Sequence, residues 1–534
     1  MKSLMKKVFA AAAAIATVFG LAATTVATAN AADNATLTVS TADAKFAGKT
    51  VNAYKMFSAT VSGDGKAVSY TLTNEWKPFF KDSTASGLTG DVTDANVNDK
   101  ANDYVSKLKD SALVAFATKA SNWAQTKTNN IATSATAEVS ANATNGKYTA
   151  TFTGLDYGYY VVAVPGATLA NANSQYATLV SVHSTSVNAD IKGNLPTVDK
   201  KVQVNGTGKN ATDAKIGDTL TFTLTSTIPD MSAYSTYTFN FKDTLSKGLT
   251  FGQVTSVTVA GVTNPLTVNT DYTVTTPTAS NNNTLTVAMN DFKNKQQTNA
   301  GKKITVTYTA TLNKDAVVGG AGNVNSATIQ YSNNPSANGT GESEPSKVRV
   351  FTYGFTVDKY TGENYGDTAA RLPGAEFTLA HKDGSAISFV QVAAGSATAK
   401  AEYRVAKAGE TGTTTTIITP ASGKVEFRGL ENGEYTLTET KAPAGYNKLA
   451  SAIGVKVDGK NNGTDTTSAT VAITYNNNNG SVYDQTASNG VIPVQNKSGA
   501  ILPGTGGMGT IAFTVIGVLV IALGVAWTLK RKNA

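Results

Sequence analysis

A chain of 534 residues is too long for a single hydrophobic core and implies several domains. Only 15% of its residues are charged, while Thr, Asn, Gly and Val abound, which favours many short strands with turn-rich connections; the absence of cysteine excludes disulfides and cysteine nucleophiles. The formal charge of +8 hints at an anionic partner, but Lys2, Lys6, Lys7, Lys530, Arg531 and Lys532 lie in two end segments that contain no acid, and the body between them carries only +2. No nucleic acid is expected as a partner.

Taken in chain order, residues 1–31 read as a secretory signal: three lysines precede an apolar run, and small residues follow up to an Ala-Asn-Ala site at Ala29–Ala31. Residues 32–194 form a first domain with strands such as "ATLTV" and "GYYVVAV". One helical passage is expected in it, because Tyr104, Val105, Leu108, Ala112, Phe116 and Trp123 recur at helical spacing. Residues 195–349 form a second domain in which "DTLTFTLTS", "TYTFNF" and "KKITVTYTATL" alternate at period two with no helix between them, so a β-sandwich is the economical arrangement. A polar Pro/Gly/Ser passage near 333–347 reads as a linker. Residues 350–500 form a third domain of the same kind, and the runs Asn281–Asn283 and Asn476–Asn479 read as loop tips. The fold class expected is all-β: tandem sandwiches, with one helix in the N-terminal domain.

Residues 501–534 hold "LPGTG" (Leu502, Pro503, Gly504, Thr505, Gly506), an uncharged run from Ile511 to Leu529, and Lys530, Arg531 and Lys532. As a helix the run would extend roughly 28 Å, about one hydrocarbon core, and the positive-inside rule leaves the basic tail in the cytoplasm. The bulk of the chain is therefore expected outside the cell. An exported protein is free to use disulfides, so covalent reinforcement in this one must be made by other means.

Side-chain parity supplies a candidate. In the third domain, strand alternation places Lys359 with Phe355 and Val357, Glu439 with Tyr435 and Leu437, and Asn496 with Ile492 and Val494. Three strands thus each direct one polar residue into an apolar face. The second domain repeats the plan with Lys200 beside Val198 and Val202, Asp243 beside Tyr237, Phe239 and Phe241, and Asn325 beside Ala327 and Ile329. In both, lysine comes from the opening strand, asparagine from the closing strand and the acid from between.

Burial lowers a lysine pKa and raises that of a carboxyl, so each trio can exist as neutral amine, neutral acid and amide. The amine can then attack the Asn carboxamide while Asp243 or Glu439 polarises the carbonyl and shuttles protons; ammonia leaves and a Lys-Asn isopeptide bond remains. It is one turnover per domain, a maturation step and not an enzyme activity. The alternative is that each polar residue sits at a strand end with its head in water, as lysine readily does.

"LPGAEFTL", "GEYTLTETKAPAGY" and "IPVQNKSG" resemble the collagen-adhesin B-type Ig-like domain of Gram-positive surface proteins, in which a Lys, an Asn and a Glu form such a bond. "KDTLSKGLTF" with "NSATIQYSN" resembles the middle domain of sortase-assembled backbone pilins, where an Asp is the acid. In the first domain "GLDYGYYVV" has Tyr157 and Tyr159 where the acid would stand, and no bond is expected there. "LPGTG" before an apolar run and a basic tail looks like a sortase sorting signal, which implies cleavage between Thr505 and Gly506 and transfer of the Thr505 carbonyl to an amine.

Lys192, in "STSVNADIKGN", shares the solvent side of its strand with Asn188 and Asp190 and occupies the place of the polymerising lysine of backbone pilins, although "ADIKGN" lacks their Tyr-Pro pair. The resemblance implies a major fimbrial subunit on a Gram-positive cell wall. Its partners would be a class C-type pilin sortase, a housekeeping sortase, identical subunits, peptidoglycan, and a tip adhesin and host glycan or protein. A monomeric wall-anchored adhesin is the alternative. No metal or cofactor is expected, and "DMSAY" at Asp230 departs from an adhesin metal site; a surface hydrolase, the third reading, is disfavoured because His183 and His381 are the only histidines and there is no cysteine.

Overall fold

The computed structural model describes residues 34–63, 65–129, 131–167, 177–191, 193–232, 234–333, 339–366, 369–460, 469–476, 482–499 and 508–532. The expected signal at 1–31, Lys192 and the pentapeptide Leu502–Gly506 lie outside them. Compact packing divides the chain into two units, one of residues 1–352 with 459–470 and one of 353–458 with 471–534.

In the first unit, the strand Ala35–Thr41 lies between Tyr148–Leu155, antiparallel, and Ser186–Asp190, parallel. A second sheet centres on Thr50–Val61 and Gly158–Ala163. The single helical passage expected here is two helices, Val97–Lys107 and Asp110–Gln125, preceded by the short helices Lys77–Lys81 and Ser83–Ser86. The break falls at Leu108 (φ −70°, ψ 130°) and Lys109 (φ −139°, ψ 158°), both extended. It lets the first helix pack on the strand Val68–Leu72 while the second packs on Gly158–Ala163 and Ala177–Val182. Phe116 then lies 5.8 to 6.0 Å, ring to ring, from Phe79, Phe80 and Tyr104. Burying these rings outweighs the helical hydrogen bonds lost at the break. Ala112, counted in the expected apolar stripe, is exposed.

The remainder of this unit is two facing sheets. One has the strand order Thr207–Lys209, Val198–Val204, Thr219–Thr227, Lys303–Leu312, Leu249–Val259. The other runs Ala211–Asp213, Ser346–Phe351, Asn323–Ser332, Phe239–Leu245, Thr284–Met289, Tyr272–Thr275, with Thr340–Glu342 paired to Asn323–Ser332. Two expectations are corrected. The passage near 333–347 is not a plain linker, because Thr340–Glu342 and Ser346–Phe351 are strands in it; Val348 and Val350 point inward at period two, a pattern masked by the polar residues before them. Asn323–Ser332 therefore does not close the domain. A short helix, Phe292–Gln296, also interrupts the strands; it places Phe292 4.5 Å from Phe239 in a stacked pair.

In the second unit, one sheet has Tyr353–Thr361 at its centre, antiparallel to Lys424–Leu430 and parallel to Val491–Gln495. The other sheet contains Glu376–His381, Gly433–Lys441 and Ile453–Lys460. Asn281–Asn283 is a loop tip as expected, with Asn282 and Asn283 at φ 55°. Of the expected tip Asn476–Asn479, residues 477–479 lie outside the described residues, and Asn476 is buried, its Oδ1 accepting from Gly454 N at 2.9 Å. The helix Met508–Lys532 covers the expected apolar run, and side chains from Val515 to Leu529 are exposed. Among the described residues no helix is long and apolar enough to cross a membrane; the described side chains within its apolar stretch run only from 514 to 529.

Candidate functional site

Strand alternation turns all six polar residues of the two trios inward. Lys200, Asp243 and Asn325 are each 0% exposed, as is Lys359, with Glu439 at 2% and Asn496 at 1%. Such groups are buried at a cost unless they are paired, so their partners decide what the clusters can do.

In the first unit, Lys200 pairs in register with Leu224, and Asp243 with Leu285 and Ala327. Lys200 and Tyr308 thus come from one sheet, and Asp243 and Asn325 from the sheet facing it. Lys200 Nζ donates to Asp243 Oδ2 in a very short contact and to Tyr308 Oη at 2.8 Å. Tyr308 Oη donates to Asp243 Oδ2 at 2.6 Å and accepts from Asn325 Nδ2 at 2.6 Å. Phe222 stacks on the Tyr308 ring at 5.3 Å, and Lys200 Nζ lies 5.1 Å from both ring centroids. Asp243 Oδ1 and Asn325 Oδ1 have no hydrogen-bond partner. Burial pushes the Lys200 ammonium down to about 8 although Asp243 beside it pulls the other way. Burial, with Asp243 adding to it, holds the Tyr308 hydroxyl well above its ordinary value. The backbone of Lys200 is tied down by a 3.0 Å bond from its N–H to Ser346 Oγ.

In the second unit, Lys359 Nζ lies 3.0 Å from Glu439 Oε1, but the two are misaligned for a hydrogen bond and neither atom makes one. Glu439 Oε2 accepts from Asn496 Nδ2 at 3.0 Å and from Leu449 N at 2.8 Å. Asn496 Nδ2 also donates to Asn447 O at 2.7 Å, which leaves Asn496 Oδ1 without a partner. Lys359 and Asn496 come from neighbouring parallel strands of one sheet, and Glu439 reaches them from the other, where it pairs in register with Phe377. Lys359 Nζ sits 5.7 Å from the Phe377 ring. Gly423, at φ 69°, brings its carbonyl to Lys359 N at 2.8 Å; a Cβ there would stand 2.6 Å from Lys359 O, so only glycine fits. Burial pushes Lys359 down to about 8, again against the pull of its acid.

Each cluster therefore holds an amine poised to lose its proton, a carboxyl group touching it, and an unsatisfied carboxamide oxygen. Tyr308 completes the first cluster and is not among the residues that strand parity singles out. It shares an inward face with Ile304, Val306 and Ala310, and its signal was the single polar tip on that face. In residues 34–194 the buried polar side chains among those described are Ser86, Ser121 and Gln125, with no comparable trio. Around the Lys192 position, Asn188 and Asp190 are exposed and Ile191 N donates to Ser40 O at 2.8 Å. Asp230 accepts from Ser232 N and Gln297 Nε2 at 3.0 and 2.9 Å, and no group of acids or histidines suited to a metal occurs among the described residues.

Residues 216–335 match the family model of the Cna-B-like domain of Gram-positive pilin backbone subunit 2, and residues 360–472 match the SpaA prealbumin-like fold domain. Over these two stretches the chain is similar to Gram-positive backbone pilins, which are structural and not enzymatic. The Cna-B-like match takes in Asp243, Tyr308 and Asn325, and the prealbumin-like match takes in Glu439; both lysines and Asn496 lie outside them. The chain is 26% identical over 386 residues to the trypsin-resistant surface T6 protein of Streptococcus pyogenes serotype M6, covering 64% of this chain and 70% of that protein. Among solved structures, the T6 backbone pilin of serotype M6 S. pyogenes aligns over 89% of this chain and 100% of its own, at 17% identity and a TM-score of 0.47. The Corynebacterium diphtheriae major pilin SpaA aligns over 87% and 100%, at 16% identity and a TM-score of 0.45.

Proposed function

We propose that this chain is the structural backbone subunit of a covalently polymerised fimbria on a Gram-positive surface, stiffened by two internal Lys-Asn isopeptide bonds. The observation that carries the reading is the repeated cluster: in two separate sandwiches an acid touches a buried amine, and a buried carboxamide lies on that acid directly or through one hydroxyl.

The chemistry follows from desolvation. With its pKa lowered to about 8, each lysine has an accessible neutral form whose lone pair can add to the Asn Cγ. The partnerless Asn oxygen takes up developing negative charge, which a protonated acid relieves by donating to it. The acid then passes its proton to the leaving nitrogen and takes one back from the attacking nitrogen, so that ammonia departs, a secondary amide joins the side chains and the acid ends protonated as it began. No external reagent is consumed. Closing a loop of about 125 residues stabilises a domain by roughly 4 to 5 kcal/mol in the chain-entropy model. A covalent link also carries tension past the intervening strands when the chain ends are pulled.

The domain plan that goes with this reading is a signal at 1–31, three β-rich domains over 32–194, 195–349 and 350–500, and a sorting signal with membrane span and basic tail over 501–534. A sortase would cleave between Thr505 and Gly506 and join Thr505 to Lys192 of the next subunit, with a housekeeping sortase attaching the finished polymer to peptidoglycan. The test is expression of the full chain with its sortase in a Gram-positive host. A detergent-resistant ladder is expected, collapsing in Lys192→Ala. A single wall-linked species would favour a monomeric adhesin, and a ladder unchanged in Lys192→Ala would overturn that lysine's role.

A further inference from the structure

We infer that Tyr308 is the proton relay of the Lys200 site, passing a proton from Asp243 to the departing nitrogen of Asn325, which Asp243 does not itself touch. The inference rests on the bond-forming reading above.

The two clusters differ in what touches the leaving group. In the second unit the acid does so itself, since Asn496 Nδ2 lies 3.0 Å from Glu439 Oε2. In the first unit Asp243 makes no hydrogen bond to Asn325: its Oδ1 has no partner, and its Oδ2 is taken by Lys200 and Tyr308. Aspartate is one methylene shorter than glutamate, and the tyrosine hydroxyl fills the gap. It touches the nucleophile at 2.8 Å, the acid at 2.6 Å and the leaving nitrogen at 2.6 Å, which uses its one donor and both acceptor positions. Nothing in the packing of the ring requires that hydroxyl, because stacking on Phe222 engages only the ring face.

The step balances without another reagent. Lys200 Nζ adds to Asn325 Cγ, and one of its protons passes to Asp243 Oδ2. While Nδ2 belongs to a planar amide its lone pair is delocalised and accepts poorly. Once the tetrahedral adduct forms, that pair is free, and Nδ2 takes the Tyr308 proton as Tyr308 takes one from Asp243. The Cγ–Nδ2 bond breaks, ammonia leaves, and acid and phenol return to their starting protonation. The raised pKa of the phenol suits a group that passes protons on and does not retain a negative charge.

Tyr308→Phe in the full chain tests this by quantifying, over time after synthesis, the digest peptides that join Lys200 to Asn325. The joined species should form on the order of 10²-fold more slowly or not at all, the range expected for loss of a positioned proton-transfer group. The Lys359–Asn496 link in the same molecules should form normally. Adding Asp243→Glu should restore the link, because the longer acid reaches the amide unaided. Formation at the unsubstituted rate in Tyr308→Phe would overturn the relay. So would failure of the double variant to recover, which would reduce Tyr308 to a packing role. An unsubstituted chain with no joined peptide would overturn the bond-forming reading as well, so the two failures are distinguishable.

Discussion

The clusters around Lys200 and Lys359 solve one problem in two geometries. At Lys359 the amine and amide sit on adjacent parallel strands of one sheet, and a glutamate from the opposite sheet touches both. At Lys200 the amine faces the amide across the sandwich, the acid is an aspartate, and a tyrosine from the lysine's own sheet completes the circuit. A bond at Lys359 would join the unit's opening strand to the strand that closes it, whereas one at Lys200 would pin two sheets together. On the proposed chemistry, the shorter acid at Lys200 requires one group more, the Tyr308 hydroxyl, than the glutamate at Lys359 does.

The largest effect should come from removing an acid. Glu439→Ala is expected to abolish the Lys359–Asn496 bond and leave a buried amine without its counter-ion. The lost loop closure is worth roughly 4 to 5 kcal/mol, and stranding one partner of a buried pair typically costs about 3 to 5 kcal/mol more. Denaturant unfolding should show the loss confined to the unit of residues 353–458 and 471–534, with Asp243→Ala doing the same to the Lys200 site.

Next comes shortening the acid. Glu439→Asp should slow bond formation on the order of 10²-fold, because among the described residues no tyrosine hydroxyl bridges the Lys359 site, where Phe377 lies beneath the amine. A time course of joined peptides measures it, and an unimpaired rate would erase the contrast between the sites.

The smallest effect is a pH dependence. In Asn496→Ala no bond can form, and Lys359 keeps a pKa lowered to about 8 in the fold against 10.5 ordinarily. Between these values the unfolded chain binds the proton and the folded chain does not, so stability rises as pH increases from about 8 towards 10.5. Below about 8 both states are protonated and that gain is absent. The melting-temperature gap between Asn496→Ala and Lys359→Met/Asn496→Ala should therefore narrow over that interval.

Strand parity made the two trios legible, because period-two alternation is local and burial on one face follows from it: Lys200, Asp243, Asn325, Lys359, Glu439 and Asn496 could each be assigned a side from five or six neighbouring residues. Long-range facts were harder to read. That Lys200 and Asn325 belong to different sheets depends on which strands pair, and the sequence alone left the two domains looking alike. Tyr308 was hidden because a tyrosine on an inward face is ordinary packing until its hydroxyl's neighbours are known. The break at Leu108 was obscured by apolar residues that continue at helical spacing on both sides of it. Ser346–Phe351 was lost to the linker because proline, glycine and serine precede it, and Asn476 because its burial is imposed by contact with Gly454.

The most direct measurement is the mass of the full chain, produced under native conditions and compared with its own processed sequence. A deficit of two ammonia molecules is expected, one abolished by Glu439→Ala and the other by Asp243→Ala. A chain with no deficit, in which all four lysine and asparagine side chains are recovered intact, would contradict it.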